Sequence, residues 1–162
     1  MSEALTAAAV LPDDAGAAAL AGRAWRPELQ GPSVVAIRPE GVFDITGECE
    51  AFASGAAGGG DGLLHVFVPH ATAGLALMEL GSSSDRDLLA VLADFLPADD
   101  RWRHAHGSRG HGRSHVMPAF VPPYATIPVT GGRLALGTWQ SVALVDLNTD
   151  NQVRQVRLSF LG

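Results

Sequence analysis

The amino-acid sequence predicts an α+β domain, mostly antiparallel β-sheet with a few helices. Short apolar runs bounded by Gly, Pro, Asn and Asp recur from residue 33 onward, which is the pattern of strands and turns. Residues 124–162 contain strand-like patterns alone. One stretch, with Leu88, Leu92, Phe95 and Leu96, has apolar side chains at helical spacing instead.

In chain order, residues 1–31 are rich in Ala and Gly and read as a flexible arm, helical around Ala15–Ala21, leaving 32–162 as the domain. Ser33–Arg38 reads as the first strand, and Asp44–Ser54 as a helix opened by Asp44 or Thr46. The five glycines of 55–62 suggest a phosphate cradle, but the Gly-Lys-Ser/Thr ending is missing and a strand follows where a helix is needed. A flexible connector is the expectation there. Leu63–Pro69 and Gly74–Leu80 read as strands, the second apolar on both faces as in a buried strand. Ser84-Asp85-Arg86-Asp87 resembles a capping box, with Ser84 as cap and Asp87 reaching back, and Pro97 closes the helix it opens. Segment 98–123 is polar, His-rich and Pro-rich and fits neither period; loops of such length are functional or disordered. Strands are expected at Tyr124–Val129, Arg133–Leu136, Trp139–Leu147 and Val153–Phe160. The last puts Val156, Leu158 and Phe160 on one face and Arg157 and Ser159 on the other. Residues 148–151 form a turn signal, so these final two strands are expected to pair as a hairpin.

Composition narrows the function. A length of 162 residues fits one domain. The net charge of −6 gives no electrostatic footprint for nucleic acid. All 11 basic residues are Arg, so Schiff-base, pyridoxal-phosphate and P-loop lysine chemistry are excluded. Cys49 is the single cysteine and cannot form an internal disulfide. No run approaches the roughly 20 apolar residues that span a bilayer. Arg23, the first basic residue, follows the apolar runs, against the order of a signal peptide. A cytoplasmic protein that engages neither membrane nor nucleic acid is expected.

Chemistry is concentrated in histidine. Of six, His104, His106, His111 and His115 fall within twelve residues, and His70 ends a strand. Imidazole is the common ligand of Zn, Ni, Cu and Fe, and a catalytic metal site takes three protein ligands with one position open. Solvated His-rich loops have the same composition, and nothing here matches a zinc finger or His-Glu-x-x-His. His65, inside an apolar strand, reads as a hydrogen-bonded structural histidine. Glu79 shares a strand face with Leu75 and Leu77. A carboxylate buried there needs a cation, metal or donors, whereas one at a strand end in water needs none. Trp139-Gln140 reads as either a ligand platform or core.

His70-Ala71-Thr72-Ala73-Gly74-Leu75, with Glu79 following, resembles the His-Thr-Thr-Ala-Gly-Leu…Asn-Glu signature of the YjbQ-like family, also called secondary thiamine-phosphate synthase. Ile127-Pro128-Val129 and the run Gly132-Arg133-Leu134-Ala135-Leu136-Gly137-Thr138-Trp139-Gln140 match its C-terminal signature almost letter for letter. His111-Gly112-Arg113-Ser114-His115 is similar to its Asn-Ala-His-Ser-His segment. The likeness runs from about Ser33 to Gly162.

That resemblance implies a homotrimeric α+β fold and an enzyme, of transferase type, acting on a small phosphorylated metabolite. Weak thiamine-phosphate synthase activity is implied: a pyrimidine diphosphate joins a thiazole phosphate and pyrophosphate leaves. It also implies a metal or anion site at His70, His104 and His115, the metal being a divalent transition ion such as zinc. His70 and Glu79 are expected to be catalytic, and Thr72, Arg113, Thr138, Trp139 and Gln140 to bind ligand. A non-catalytic trimeric metal- or metabolite-binding protein and a metal-assisted hydrolase are the alternatives. Three departures weaken inherited synthase activity. Leu80-Gly81-Ser82-Ser83-Ser84 replaces Asn-Ala-Asp-Pro-Asp, Arg113 replaces a histidine, and residues 146–151 keep an acid but lose the Pro-Arg of Glu-x-Asp-Gly-Pro-Arg.

Overall fold

A computed structural model describes residues 30–36, 40–104, 106–150 and 153–162. The α+β expectation holds: every strand pairing is antiparallel among the described residues. The strands are β1 (Gln30–Ala36), β2 (Gly41–Asp44), β3 (Gly62–Phe67), β4 (Ala73–Met78), β5 (Tyr124–Thr130), β6 (Arg133–Leu134), β7 (Ser141–Asp146) and β8 (Val153–Leu161). The helices are α1 (Thr46–Ala57), α2 (Ser84–Phe95) and α3 (His111–Val116), with a 3-10 turn at Met117–Ala119.

Two sheets form, in the orders β1-β8-β3-β5-β6 and β2-β7-β4. Alternation along β7 explains how they stack. Val142 and Leu144 join the apolar layer between the sheets, with Leu64, Val66, Ile127, Leu158 and α1's Cys49 and Ala53. Val145, one residue out of phase, faces a second layer with Leu92, Leu96 and Met117. The three-stranded sheet is therefore a middle layer between the five-stranded sheet and α2. Cys49 is fully buried, and burial with nearby Glu48 and Asp44 pushes its thiol up to about 12.

At one end of the inter-sheet layer the apolar pattern gives way to charge. Two-residue periodicity places Asp146 on the face of Val142 and Leu144, and Arg154 on the face of Val156 and Leu158. Both are buried, and Arg154 Nε donates to Asp146 Oδ2 across the gap. Arg154 also donates to Thr72 Oγ1 at 3.3 Å, and Asp146 Oδ1 accepts the Asn148 N–H at 2.7 Å. Burial pushes the Asp146 carboxyl above its ordinary value, while Arg154 and the Asn148 N–H pull the other way.

Several local expectations are corrected. β7 and β8 do not form a hairpin: they lie in different sheets, because the Asp146–Arg154 pair takes the chain across the sandwich and not back on itself. β1 starts at Gln30 and pairs with β8, so the last two residues of the expected arm belong to the sheet; the remainder, with the expected helix at Ala15–Ala21, lies outside the described residues. Ser84 does not cap α2. Its place is taken by Ser83 at φ 73°, whose side chain makes no cap bond while its carbonyl accepts the Arg86 and Asp87 N–H groups. α1 starts at Thr46 and runs on to Ala57, while Asp44 ends β2 and its carboxylate accepts the Thr46 N–H at 2.9 Å. The 55–62 connector is tied down, not free: Asp61 accepts the Gly131 N–H at 2.7 Å and Gly60 that of Gly132 at 2.8 Å. β4 is buried only in its first half, and Leu77 is exposed. No helix among the described residues is long and apolar enough to cross a membrane.

Removing one member of a buried pair strands the other charge, at a cost of about 3–5 kcal/mol, whereas an apolar pair of similar volume is often neutral. Chemical denaturation should therefore find Arg154→Leu destabilised by about 3–5 kcal/mol, and Asp146→Leu combined with Arg154→Met much less so. Equal losses in both would show that the pair is not the joint between the sheets.

Candidate functional site

The His-rich segment that fits neither period contains α3, whose buried residues are Gly112, Arg113 and Ser114. A helix burying a glycine, an arginine and a serine has no apolar stripe to read, which is why periodicity misses it. Gly112 is required by contact: a methyl there would lie 2.4 Å from Trp102 Cβ and 2.8 Å from the His104 carbonyl oxygen. The 98–110 loop thus packs directly on α3 and delivers His104 and His106 to it. One ligand nitrogen from each of His104, His106, His111 and His115 then falls within 4.8 Å of the others. His111 Nε2 and His115 Nε2 are 2.9 Å apart.

Against this cluster lies a cleft of about 250 Å³. His106, His111 and His115 form one wall; His70, Thr72, Asn148 and Arg154 form the other. The second wall is the charged end of the inter-sheet layer, so the cleft sits where the two sheets meet. His70 Nε2 accepts the Gln155 N–H at 3.0 Å. Burial and the Arg154 charge hold His70 below the ordinary imidazole value. His115 is held below it by burial and by the charges of His104, His111 and His106, and His104 likewise by desolvation and its histidine neighbours. At neutral pH these rings are neutral and carry lone pairs.

Of the residues expected at a site, the structure brings His104 and His115 together, with His70 and Thr72 across the cleft. Arg113 is elsewhere: its guanidinium is buried against Glu40 Oε1 at 2.6 Å and the Leu96 carbonyl at 3.4 Å. Glu79 is also elsewhere. Ala73 pairs with Asp146 and Met78 with Ser141, so β4 runs from the cleft to the other end of the sheet, about 17 Å at 3.3 Å per residue. Glu79, expected to act with His70, does not reach it within the chain and instead accepts the Ser82 hydroxyl at 2.8 Å. Thr138, Trp139 and Gln140 lie at that far end, on an exposed turn where Gln140 Oε1 accepts the Gly137 N–H. His65 is hydrogen-bonded as expected, to Thr126 Oγ1 at 2.9 Å, but is exposed.

His106 and His111 are visible in the sequence only as members of the His-rich segment, and Asn148 and Arg154 belong to the cleft without any expectation placing them there. For Arg154 the signal was available: the alternation that buries Val156, Leu158 and Phe160, extended back by two, puts Arg154 on the same face. That buried arginine meets the acid retained at Asp146.

The depressed imidazoles have a consequence for stability. A base whose folded pKa lies below its unfolded value binds fewer protons when folded, so stability is full above about pH 6.5 and falls as pH drops below it. Thermal unfolding of metal-free protein should give a lower Tm at pH 5.5 than at pH 7.5. His70→Gln, which keeps an acceptor without titrating, should narrow the gap; an unchanged gap would remove His70 as a contributor.

Comparison with known proteins agrees with the fold. Residues 33–162 match the family model described as UPF0047 protein YjbQ-like. A UPF0047 protein of Mycobacterium bovis is 57% identical over 120 residues, 74% of this chain and 91% of that one. The YjbQ protein of Salmonella typhimurium is 31% identical over 126 residues, covering 77% and 91%. Among solved structures, a hypothetical protein from Aeropyrum pernix superposes with a TM-score of 0.74 at 32% identity, covering 82% of this chain and 98% of the other. A protein of unknown function from Sulfolobus solfataricus superposes at 0.76 and 25% identity, covering 82% and 96%. With four-fifths of its length matched by one family model and the same fold in its relatives, the chain belongs to the YjbQ-like UPF0047 family.

Proposed function

We propose that the chain is a metal-dependent enzyme of transferase type, acting on a small phosphorylated metabolite at the histidine cleft, with zinc as the resident ion. The observation that carries this reading is the convergence of four imidazoles within 4.8 Å beside a cleft with a buried arginine. The donor set fits. Zinc–nitrogen bonds of 2.0–2.1 Å place tetrahedral ligand atoms about 3.3 Å apart, so the cluster closes on an ion through modest side-chain shifts. His104 and His115 of the expected ligand set would hold it with help from His106 and His111. The metal would supply Lewis-acid polarisation of a phosphoryl oxygen when bound. Arg154, Thr72, Asn148 and His70 provide the facing polar wall that orients an anionic ligand.

Within this class, the thiamine-phosphate condensation is the reaction that the family resemblance supports, and at a weak level. Magnesium, which ordinarily neutralises departing pyrophosphate, prefers carboxylate oxygens. No carboxylate lines the cleft among the described residues. The far-end residues Glu79, Thr138, Trp139 and Gln140 reach such a cleft only in a neighbouring subunit, which is the arrangement a homotrimer would allow. Assembly has support of its own: cross-strand pairs Phe67–Tyr124 and Leu63–Leu161 leave large apolar side chains exposed on the outer face of the five-stranded sheet.

Protein purified without chelator should carry close to one zinc per chain by elemental analysis. His115→Ala should lose it and His65→Ala retain it, and metal-free protein from several mild preparations would defeat the reading. Activity is then sought by screening phosphorylated substrates, including the pyrimidine diphosphate and thiazole phosphate pair. Light scattering at micromolar concentration should give three times the chain mass; a monomer would exclude a site shared between subunits.

A further inference from the structure

Four imidazoles share the cluster, but among the described residues His111 alone is backed by a carboxylate. Its side chain is 8% exposed, and Asp150 Oδ2 lies 2.7 Å from Nδ1. Nδ1 is buried and has no aligned hydrogen bond, so the carboxylate sits off the N–H axis. The histidine χ2 torsion is broad, and a modest ring rotation brings that N–H onto the carboxylate.

We propose that His111 is an obligatory metal ligand through Nε2, and that Asp150 is the positioning residue that sets its tautomer. The proposal rests on the metal reading above and names what organises that site. A carboxylate on Nδ1 holds the ring proton there and leaves the Nε2 lone pair for a metal. The far edge of the ring points into the cluster, with Nε2 2.9 Å from His115 Nε2. Two unprotonated nitrogens repel at that distance. With its own proton on Nδ1, His111 Nε2 is the acceptor of this pair in the metal-free chain.

The surroundings of Asp150 are built for the role. Oδ2 accepts the Ser108 N–H at 3.3 Å, and the Asp150 N–H donates to Asn148 Oδ1 at 2.9 Å. Asn148 is itself hydrogen-bonded to Asp146, so the carboxylate is anchored to the joint between the sheets. Gly107, at φ 83°, covers the contact: a methyl there would lie 2.8 Å from both Asp150 Oδ2 and His111 Nδ1. His70 is organised in the opposite sense. Its Nε2 accepts the Gln155 N–H, so the neutral ring carries its proton on Nδ1 and offers a metal no lone pair. His70 is assigned to the facing wall as a donor to ligand, and His111 takes its place in the ligand set.

Co²⁺ is the probe for affinity, and long-range ¹H–¹⁵N spectra of the metal-free chain report the tautomer. Asp150→Asn should weaken Co²⁺ binding by about 10–100-fold while the fold is retained. His111→Asn should abolish the tetrahedral Co²⁺ spectrum, and His70→Gln should leave it unchanged. The wild-type spectra should identify His111 as the Nδ1–H tautomer. Unchanged Co²⁺ affinity in Asp150→Asn, or wild-type His111 found as Nε2–H, overturns the proposal and leaves the metal reading standing. A wild-type chain that takes neither Co²⁺ nor Zn²⁺ removes both. The tautomer measurement needs no variant and decides the question even if Asp150→Asn misfolds.

Discussion

The buried pair of Asp146 and Arg154 is the constraint on which the site depends. Two sheets that met through apolar side chains alone would have no strong preference for one relative placement, since dispersion and hydrophobic burial are non-directional. A guanidinium and a carboxylate buried together are directional, because each must have its hydrogen bonds met inside the protein. Thr72 enters the network from the turn before β4, and Asn148 from the turn after β7. One charge pair therefore sets the positions of both turns that wall the cleft. This coupling also accounts for an ionic contact at a place where apolar side chains would give as much stability.

The opposite wall is built on another principle. Its histidines are crowded, partly exposed and mutually repulsive when protonated. Nothing in apolar packing requires them to converge. Their convergence is obtained by close backbone approach, with Gly112 admitting the 98–110 loop and Gly107 covering Asp150. The cleft thus joins a rigid half, rooted in the sheets, to a half made of loop and one short helix. Chemistry carried out on a loop positioned by a rigid scaffold is a common division of labour.

Most of the sheet was legible in the sequence because half-buried strands alternate, and β3, β5 and β8 alternate plainly: Leu64, Val66, Ile127, Val156 and Leu158 are inside and their neighbours outside. The false hairpin between β7 and β8 shows where that reading stops. A turn signal gives a change of direction but does not say whether the partner lies in the same sheet. Arg154 is in phase with Val156, but an arginine in strand periodicity is usually solvent-facing, so phase alone does not mark it as buried. α3 was not readable, since its buried face carries Gly112, Arg113 and Ser114. The histidine cluster was visible as composition, but its membership depends on backbone contacts that spacing does not encode. His70 and Glu79 look close in sequence, yet an extended strand separates them by its own length.

The environment of Cys49 bears on how such a centre would fare in a cell. The chain's one thiol is sealed in the layer between the sheets, with its pKa pushed up to about 12, so almost none of it is thiolate at neutral pH. Peroxide and electrophiles attack the thiolate, and metal sites built on cysteine are disarmed that way. A centre assembled from imidazoles alone, in a protein whose only sulfhydryl is out of reach, offers those agents no sulfur at the metal. Its characteristic vulnerability would be acid, which competes for the same nitrogen lone pairs, so exposure to low pH and not oxidative stress would empty it.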